Sequence, residues 1–198
     1  MSQPLLSILI PSVVGREENL QRLMYRLRAT CGPSHNVEIY YQRDNKEMTI
    51  GEKREQMYQK ASGLFSWQID DDDDISDDAV DSILDQIRLT GSYIDCITFE
   101  ENCMMNGQYY SCRHSLEYDD WRDNFDGYDF VRTPFYKDVI KTEIAKSVPF
   151  EHIRYGEDHT WSRALKPHLK NEIHIPRELY FYIHNSKPEE HNERYGIT

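Results

Sequence analysis

Short apolar runs alternate with longer amphipathic stretches along the first hundred residues. Residues 5–10 are almost wholly apolar and stop at Pro11-Ser12, a pattern typical of a strand buried on both faces. Leu20, Leu23, Met24 and Leu27 then repeat at helical spacing before Gly32-Pro33, and residues 37–41 read as a second strand. A strand, a helix and a strand in this order need a crossover connection, which predicts parallel pairing.

The alternation continues through the middle of the chain. Residues 50–61 predict a helix that has Gly63 just past its end as a cap, and residues 64–69 predict a third strand. Ser76 is a suitable N-cap for a helix over residues 77–89, and residues 93–99 form the fourth predicted strand.

The pattern becomes irregular after residue 100. Asn106-Gly107 indicates a two-residue hairpin, and residues 137–148 indicate a helix. Residues 115–130 predict a loop, which either covers a binding site or is simply solvated. A further helix follows Gly156, residues 172–175 and 179–183 read as short strands, and residues 187–198 as a polar tail. We therefore predict one α/β domain over residues 1–186, Rossmann-like, with a mostly parallel central sheet flanked by helices and a small antiparallel hairpin.

Five consecutive aspartates, residues 70–74, join the third strand to the next helix. No Lys or Arg lies between Lys60 and Arg88, so another part of the chain or a cation must supply positive charge. Ser12 and Asp44 also follow strand ends, and ligands bind at that edge of a parallel sheet. This placement favours a Mg²⁺-type site over a solvated acidic run. A calcium loop of the EF-hand type is excluded, because its sixth position needs Gly and is Ile75.

Charge and cysteine content narrow the functional classes. The chain of 198 residues has a net charge of −12, but nine aspartates and no base lie within residues 70–85, so the remainder carries only −3. Nucleic acid is thus neither indicated nor excluded as a partner. No Cys-x-x-Cys pair occurs, which disfavours a zinc site. The group Cys103, Cys112 and His114 is the one set of zinc ligands that the sequence still offers. Free thiols and the lack of a signal or membrane-spanning run predict a soluble, cytoplasmic protein.

The order of these motifs resembles the family 2 glycosyltransferases of the GT-A fold over residues 5–184. The similarity lies in Ser7-Ile8-Leu9-Ile10-Pro11-Ser12, Ile50-Gly51-Glu52-Lys53-Arg54, Ala61-Ser62-Gly63, Ile69-Asp70-Asp71-Asp72-Asp73 and Gly156-Glu157-Asp158. It implies a GT-A fold and inverting transfer of a sugar from a nucleotide-sugar donor, with UDP the expected nucleotide. So small a version also resembles glycosyltransferases encoded by bacteriophages, some of which modify DNA bases.

The resemblance also implies roles for individual residues. The donor would be bound by Pro11, Ser12, Asp44, Arg54, Asp70 and Asp71, with Asp44 at the base or ribose and Arg54 at the diphosphate. Mn²⁺ or Mg²⁺ would be held by Asp72, Asp73 and the C-terminal His184. Asp158 would be the base that activates the acceptor hydroxyl, with Glu157 in reserve.

Two other functional classes stay open. A sugar-phosphate nucleotidyltransferase needs a Gly-rich early loop, and residues 11–18 contain only Gly15. A non-catalytic module would bind the nucleotide sugar or the metal without transfer. The acceptor, whether a glycan, a small molecule or a hydroxylated DNA base, has no motif. If it were DNA, Lys137, Lys141 and Lys146 would contact phosphates and activity would fall with salt.

Overall fold

A computed structural model describes residues 3–31 and 36–184. The strands are β1 (Leu6–Val13), β2 (Val37–Asp44), β3 (Phe65–Gln68), β4 (Asp74–Ile75), β5 (Cys96–Met105), β6 (Gln108–His114), β7 (Arg122–Phe125), β8 (Tyr128–Arg132), β9 (Val139–Lys141) and β10 (Glu172–His184). The α-helices are α1 (Glu17–Thr30), α2 (Ile50–Lys60), α3 (Ala79–Thr90), α4 (Thr142–Ser147) and α5 (Glu157–Leu165). The predicted tail, residues 187–198, and the predicted helix end at Gly32-Pro33 lie outside the described residues.

One sheet runs through the described part of the chain in the order β2-β1-β3-β9-β5-β6-β8-β7, with β10 beside β5 and β4. β1 pairs in parallel with β2 and β3, and β10 in parallel with β5. The short β9 is antiparallel to both β3 and β5, so these two strands point the same way. The α/β class and its mostly parallel central sheet are confirmed.

Helices cover both faces of this sheet. Leu6, Ile8 and Ile10 of β1 pack into a core shared with α1 and α3, whereas Leu9 belongs to a second core shared with α2, α4 and α5. A strand between two helical layers is buried on both faces, which explains why β1 lacks the alternation of polar and apolar residues. Gly63 permits close contact with β1, because a Cβ there would lie 2.7 Å from the Ser7 amide nitrogen.

Four sequence predictions need correction. The expected loop over residues 115–130 contains β7 and β8, which turn at Asp126 and Gly127, both with positive φ. The expected helix over residues 137–148 is β9 followed by the short α4, because those apolar residues fill the gap between β3 and β5. The two expected C-terminal strands are one strand, β10, interrupted by a bulge between Ile175 and Tyr180. The helix expected from residue 77 begins at Ala79, and Ser76 does not cap it.

The hairpin predicted at Asn106-Gly107 is confirmed as the connection of β5 and β6. Both residues have positive φ, which favours Asn and Gly at such turns. The helix after Gly156 is confirmed as α5. No helix in the described residues is long and apolar enough to cross a membrane.

Candidate active site

The carboxyl ends of β1, β2 and β3 meet at one edge of the sheet. Ser12 at the end of β1 donates its hydroxyl to Asp71 Oδ2 over 2.7 Å. Lys53 of α2 connects β1 to β2, because its ammonium group bonds the Asp44 carboxylate and the Ser12 carbonyl, the latter at 2.6 Å. The structure therefore brings together Ser12, Asp44 and the aspartate run, as expected from the strand ends.

Asp70 is held from two sides by buried groups. Arg54 donates to both of its oxygens, at 2.9 and 3.1 Å, and Tyr136 donates to Oδ2 at 2.9 Å. Burial alone would raise the pKa of Asp70, but the Arg54 guanidinium outweighs it and lowers the pKa. Arg54 also lies 3.3 Å from Glu157 and 3.4 Å above the Tyr136 ring, so its donors face protein groups. The arrangement keeps Asp70 ionised and fixed.

Asp73 points into the protein. Its carboxylate accepts hydrogen bonds from the Tyr180 hydroxyl at 2.7 Å and the Ile183 amide at 3.0 Å, and it is only 1% exposed. Burial raises the pKa of Asp73 to about 8 although Lys137, 3.9 Å away, opposes this. Because both oxygens already have protein donors, Asp73 anchors the end of β10 rather than facing the solvent.

Asp72 is the exposed member of the run. Its side chain is 38% exposed, more than that of any other aspartate of residues 70–74. Burial and the neighbouring Asp70 raise the pKa of Asp72. Arg16, just before α1, lies 2.9 Å from Asp72 Oδ2 and 2.9 Å from Asp71 Oδ1. The guanidinium of Arg16 thus already occupies the open side of this carboxylate.

Helix α1 supplies the positive charge that the run itself lacks. Arg22 donates to the main-chain carbonyls of Asp72 and Asp73 at 3.1 and 2.9 Å. Arg26 lies 2.6 Å from Asp74 Oδ1 and also pairs with the carboxylate of Asp77. The spacing of Arg22 and Arg26 places both on one face of the helix, toward the run.

The predicted acceptor-side residues stand at the start of α5. Glu157 is buried against Arg54, and burial raises the pKa of Glu157. Asp158 is half-buried and bonds the amide of His159 at 2.8 Å. Burial is the main cause of the raised pKa of Tyr136, the residue that donates to Asp70, and the charge of Asp158 adds to it. Asp158 is therefore near the carboxylate run without being locked in an ion pair among the described residues.

His184 ends β10 one residue after Ile183, whose amide binds Asp73. Its ring stacks on that of Tyr182, with centroids 5.9 Å apart. Pro11 is buried in β1 and pairs with Gln42 of β2. The predicted residues thus lie around one edge, but Asp44, Arg54 and Asp73 are buried beneath it, and within the aspartate run Asp72 is the most exposed.

Sequence reasoning missed the cations of α1 and the aromatic donors. Arg16 stands just before α1, and Arg22 and Arg26 lie on that amphipathic helix; these basic residues are a sequence signal for charge pairing with the aspartate run. Tyr136 and Tyr180 come from distant segments with no motif, so only the folded chain places them. Lys137, considered above as a DNA contact, is buried against Glu101 and Asp73 and cannot reach a phosphate backbone.

These residues fit a divalent cation at Asp72. Mg²⁺ and Mn²⁺ need oxygen ligands with free lone pairs, and an exposed carboxylate that already attracts a guanidinium supplies one. Asp73 does not fit as a ligand, because its oxygens bond Tyr180 and Ile183.

The chain matches no protein-family model and no curated protein sequence. Solved structures of S. aureus TarS are similar to it. TarS 1–349 in complex with UDP-GlcNAc aligns with a TM-score of 0.65 at 13% identity, over 92% of this chain and 59% of that one. The complex with UDP aligns with a TM-score of 0.65 at 15% identity, over 96% and 62%. The described residues thus have the GT-A fold, and the chain spans less than two thirds of TarS 1–349.

Proposed function

We propose that this protein is a metal-dependent, inverting family 2 glycosyltransferase that moves a sugar from a nucleotide-sugar donor to an acceptor hydroxyl. The observation that carries the proposal is the exposed Asp72 carboxylate between the anchored Asp70 and Asp73, at the carboxyl end of β3 in a GT-A fold. UDP is the proposed nucleotide, because the similar TarS structures contain UDP-GlcNAc or UDP.

The donor is assigned to the edge formed by β1, β2 and β3. Pro11, Ser12 and Asp44 would line the nucleoside pocket, and Asp70 and Asp71 the ribose and phosphate side. Arg54, buried against Asp70, would act by fixing that carboxylate. The exposed guanidinium of Arg16 is better placed for the diphosphate, because it lies beside Asp72 and is 44% exposed.

Asp72 and His184 are assigned to Mn²⁺ or Mg²⁺. When bound, the cation would offset the negative charge that develops on the departing diphosphate. Asp73 is assigned a positioning role, since it holds the backbone of Ile183 and thereby the residue that precedes His184.

Asp158 is assigned as the general base. It would take the proton of the acceptor hydroxyl while that oxygen bonds the anomeric carbon and the bond from this carbon to the diphosphate oxygen breaks on the opposite face. Glu157 is the reserve, but its carboxylate is buried and paired with Arg54, which leaves Asp158 the freer base.

The acceptor is proposed to be a glycan, a small molecule or a hydroxylated DNA base. A single catalytic domain over residues 1–186, resemblance to the small bacteriophage versions of the family and a cytoplasmic location also belong to this proposal. A non-catalytic nucleotide-sugar module is the second candidate, and a nucleotidyltransferase is disfavoured because β1 is not followed by a Gly-rich loop.

The proposal is tested by calorimetric titration of UDP, GDP, dTDP and CDP, with and without Mn²⁺. We expect one nucleotide, UDP, to bind only with Mn²⁺, and Asp72→Asn to abolish that binding. Asp85→Asn is the matched control, because Asp85 is an exposed aspartate of α3 paired only with Arg88 among the described residues. The absence of binding by any nucleotide to folded protein would refute the donor assignment.

Catalysis is separated from binding with Asp158→Asn. This variant should bind UDP-sugar like the parent chain, but it should lose both sugar transfer and the slow background hydrolysis of the donor. Donor binding without either reaction in the parent chain would favour the non-catalytic module. Normal turnover by Asp158→Asn would show that Asp158 is not the general base.

A further inference from the structure

A second cluster of metal-ligating groups lies inside the sheet, separate from the aspartate run. It is formed by Glu101 and Cys103 of β5 and by Cys112 and His114 of β6. Alternate residues of a strand share a face, and Glu101 lies directly opposite Cys112 in the antiparallel register. The four side chains therefore converge on one face of the β5–β6 hairpin.

Three of the four already have the spacing of a coordination site. The ligand atoms of Glu101, Cys112 and His114 all lie within 4.8 Å of one another, and the residues are 3%, 2% and 0% exposed. Around a tetrahedral zinc ion, ligand atoms are roughly 3.3–3.8 Å apart, as follows from bond lengths of about 2.0–2.3 Å. Cys103 lies on the same face of β5 as Glu101 and close to Cys112, which makes its thiol the candidate for a fourth ligand.

The histidine is oriented as metal-bound histidines are. His114 Nδ1 is 2.9 Å from Asp138 Oδ1, and the other oxygen of Asp138 accepts a hydrogen bond from the Phe135 amide at 3.0 Å. Nε2 is thereby directed at Glu101, 3.0 Å away. A carboxylate on the far nitrogen fixes the ring and raises its basicity as a ligand.

The charged residues around the cluster are also compatible with a divalent cation. Glu101 and Asp138 are acidic, and Lys137 is the basic partner of Glu101. If the ion replaces one proton each on His114, Cys112 and Cys103, three positive charges leave as two enter, so the net charge of this buried region changes by only one. A divalent cation therefore leaves much less uncompensated charge here than it would among neutral side chains.

We propose that Glu101, Cys112 and His114, with Cys103 as the fourth ligand, form a structural zinc site that fastens β5 to β6. The linear pattern is Cys103-x8-Cys112-x-His114, which spans a hairpin and lacks the usual Cys-x-x-Cys pair. A closed, fully protein-ligated site is typical of structural rather than catalytic zinc. The proposal does not depend on the glycosyltransferase assignment, because its ligands are distinct from Asp72 and His184.

The test uses metals alone. The full chain is stripped with a chelator and titrated with Co²⁺, because thiolate-to-cobalt charge-transfer absorption reports a bound cysteine, and Zn²⁺ is then added as competitor. We expect one Co²⁺ per chain with this absorption, its displacement by Zn²⁺, and a higher melting temperature with Zn²⁺. Zinc should also be retained in protein purified without chelator.

Variants decide which residues bind. Because two thiolates would bind the ion, Cys112→Ser, which nearly preserves side-chain volume, should lose at least half of the charge-transfer absorption, and the double variant Cys103→Ser/Cys112→Ser should lose all of it. His114→Gln should weaken Co²⁺ and Zn²⁺ binding, and Asp138→Asn should weaken zinc binding about 10- to 100-fold. Cys31→Ser is the control for a thiol elsewhere, and Asp72→Asn should leave the signal intact. Absence of the absorption in reduced parent protein, undiminished absorption in Cys112→Ser, or its loss in Asp72→Asn would overturn the proposal.

Discussion

Arg16→Ala should change metal binding and donor binding in opposite directions. In the structure, the Arg16 guanidinium lies 2.9 Å from both Asp71 and Asp72, where the proposed cation must bind. A metal ion that enters at Asp72 has to displace this guanidinium. The same group, once released, faces the position assigned to the donor diphosphate.

The expected magnitude follows from the geometry. Arg16 is 44% exposed, so solvent screens its two carboxylate contacts, and together they stabilise the metal-free protein by about 1–2 kcal/mol. Their loss in Arg16→Ala should therefore tighten Mn²⁺ binding in the absence of nucleotide by about 5- to 30-fold. A charge-assisted hydrogen bond to the diphosphate is worth about 1.5–3 kcal/mol, so UDP binding in saturating Mn²⁺ should weaken roughly 10- to 150-fold.

The assay is calorimetric titration of Mn²⁺ into the nucleotide-free protein, followed by titration of UDP at saturating Mn²⁺. Arg28→Ala is the matched control, because Arg28 is an exposed arginine of α1 that makes no contact with residues 70–74 in the described structure. Arg16→Ala binding Mn²⁺ no tighter than Arg28→Ala would refute the displacement argument. Equal UDP affinity in the two variants would show that Arg16 does not bind the diphosphate.

Three further predictions concern the buried charges and the packing around the site. Burial would lower the pKa of His114, but the carboxylates on both ring nitrogens raise it to about 9. Because the pKa of His114 is higher in the folded protein than the unfolded value near 6.5, its ion pairs stabilise the fold fully below pH 6.5, and this contribution is lost as pH rises through 9. Urea titration in the presence of chelator should show that the free energy of unfolding falls by about 3 kcal/mol over this range, and by less in His114→Gln. Arg54→Met should cost about 3–5 kcal/mol of unfolding free energy by leaving Asp70 buried without its cation, and adding Asp70→Asn should restore much of it; an additive double mutant would contradict this reasoning. Gly51→Ala should destabilise the protein by about 1–3 kcal/mol, because the new Cβ would lie 2.0 Å from the Glu151 carbonyl oxygen, and an unchanged denaturation midpoint would show that this contact is loose.

Local patterns were sufficient to predict the elements whose burial follows from their own sequence. β1 is a continuous apolar run, α1, α2, β3 and α5 carry periodic apolar residues, and Asn106-Gly107 specifies a tight turn, so these elements are where the sequence predicts them. Where partners from elsewhere supply the stabilisation, local reasoning failed. Residues 139–141 form a strand because β3 and β5 offer backbone groups on both sides, and this overrides a helical spacing of apolar residues.

The same division holds at the candidate site. The sequence by itself determined that a carboxylate run would end β3, beside the ends of β1 and β2, because parallel strands place their carboxyl ends together. It did not determine which carboxylate is available to a ligand. Tertiary structure decided that, because Arg54 and Tyr136 bind Asp70, Tyr180 and the Ile183 amide bind Asp73, and Asp72 keeps the largest exposed fraction of the run, 38%. Five chemically identical side chains differ only in the neighbours that folding brings to them, and no local pattern encodes those neighbours.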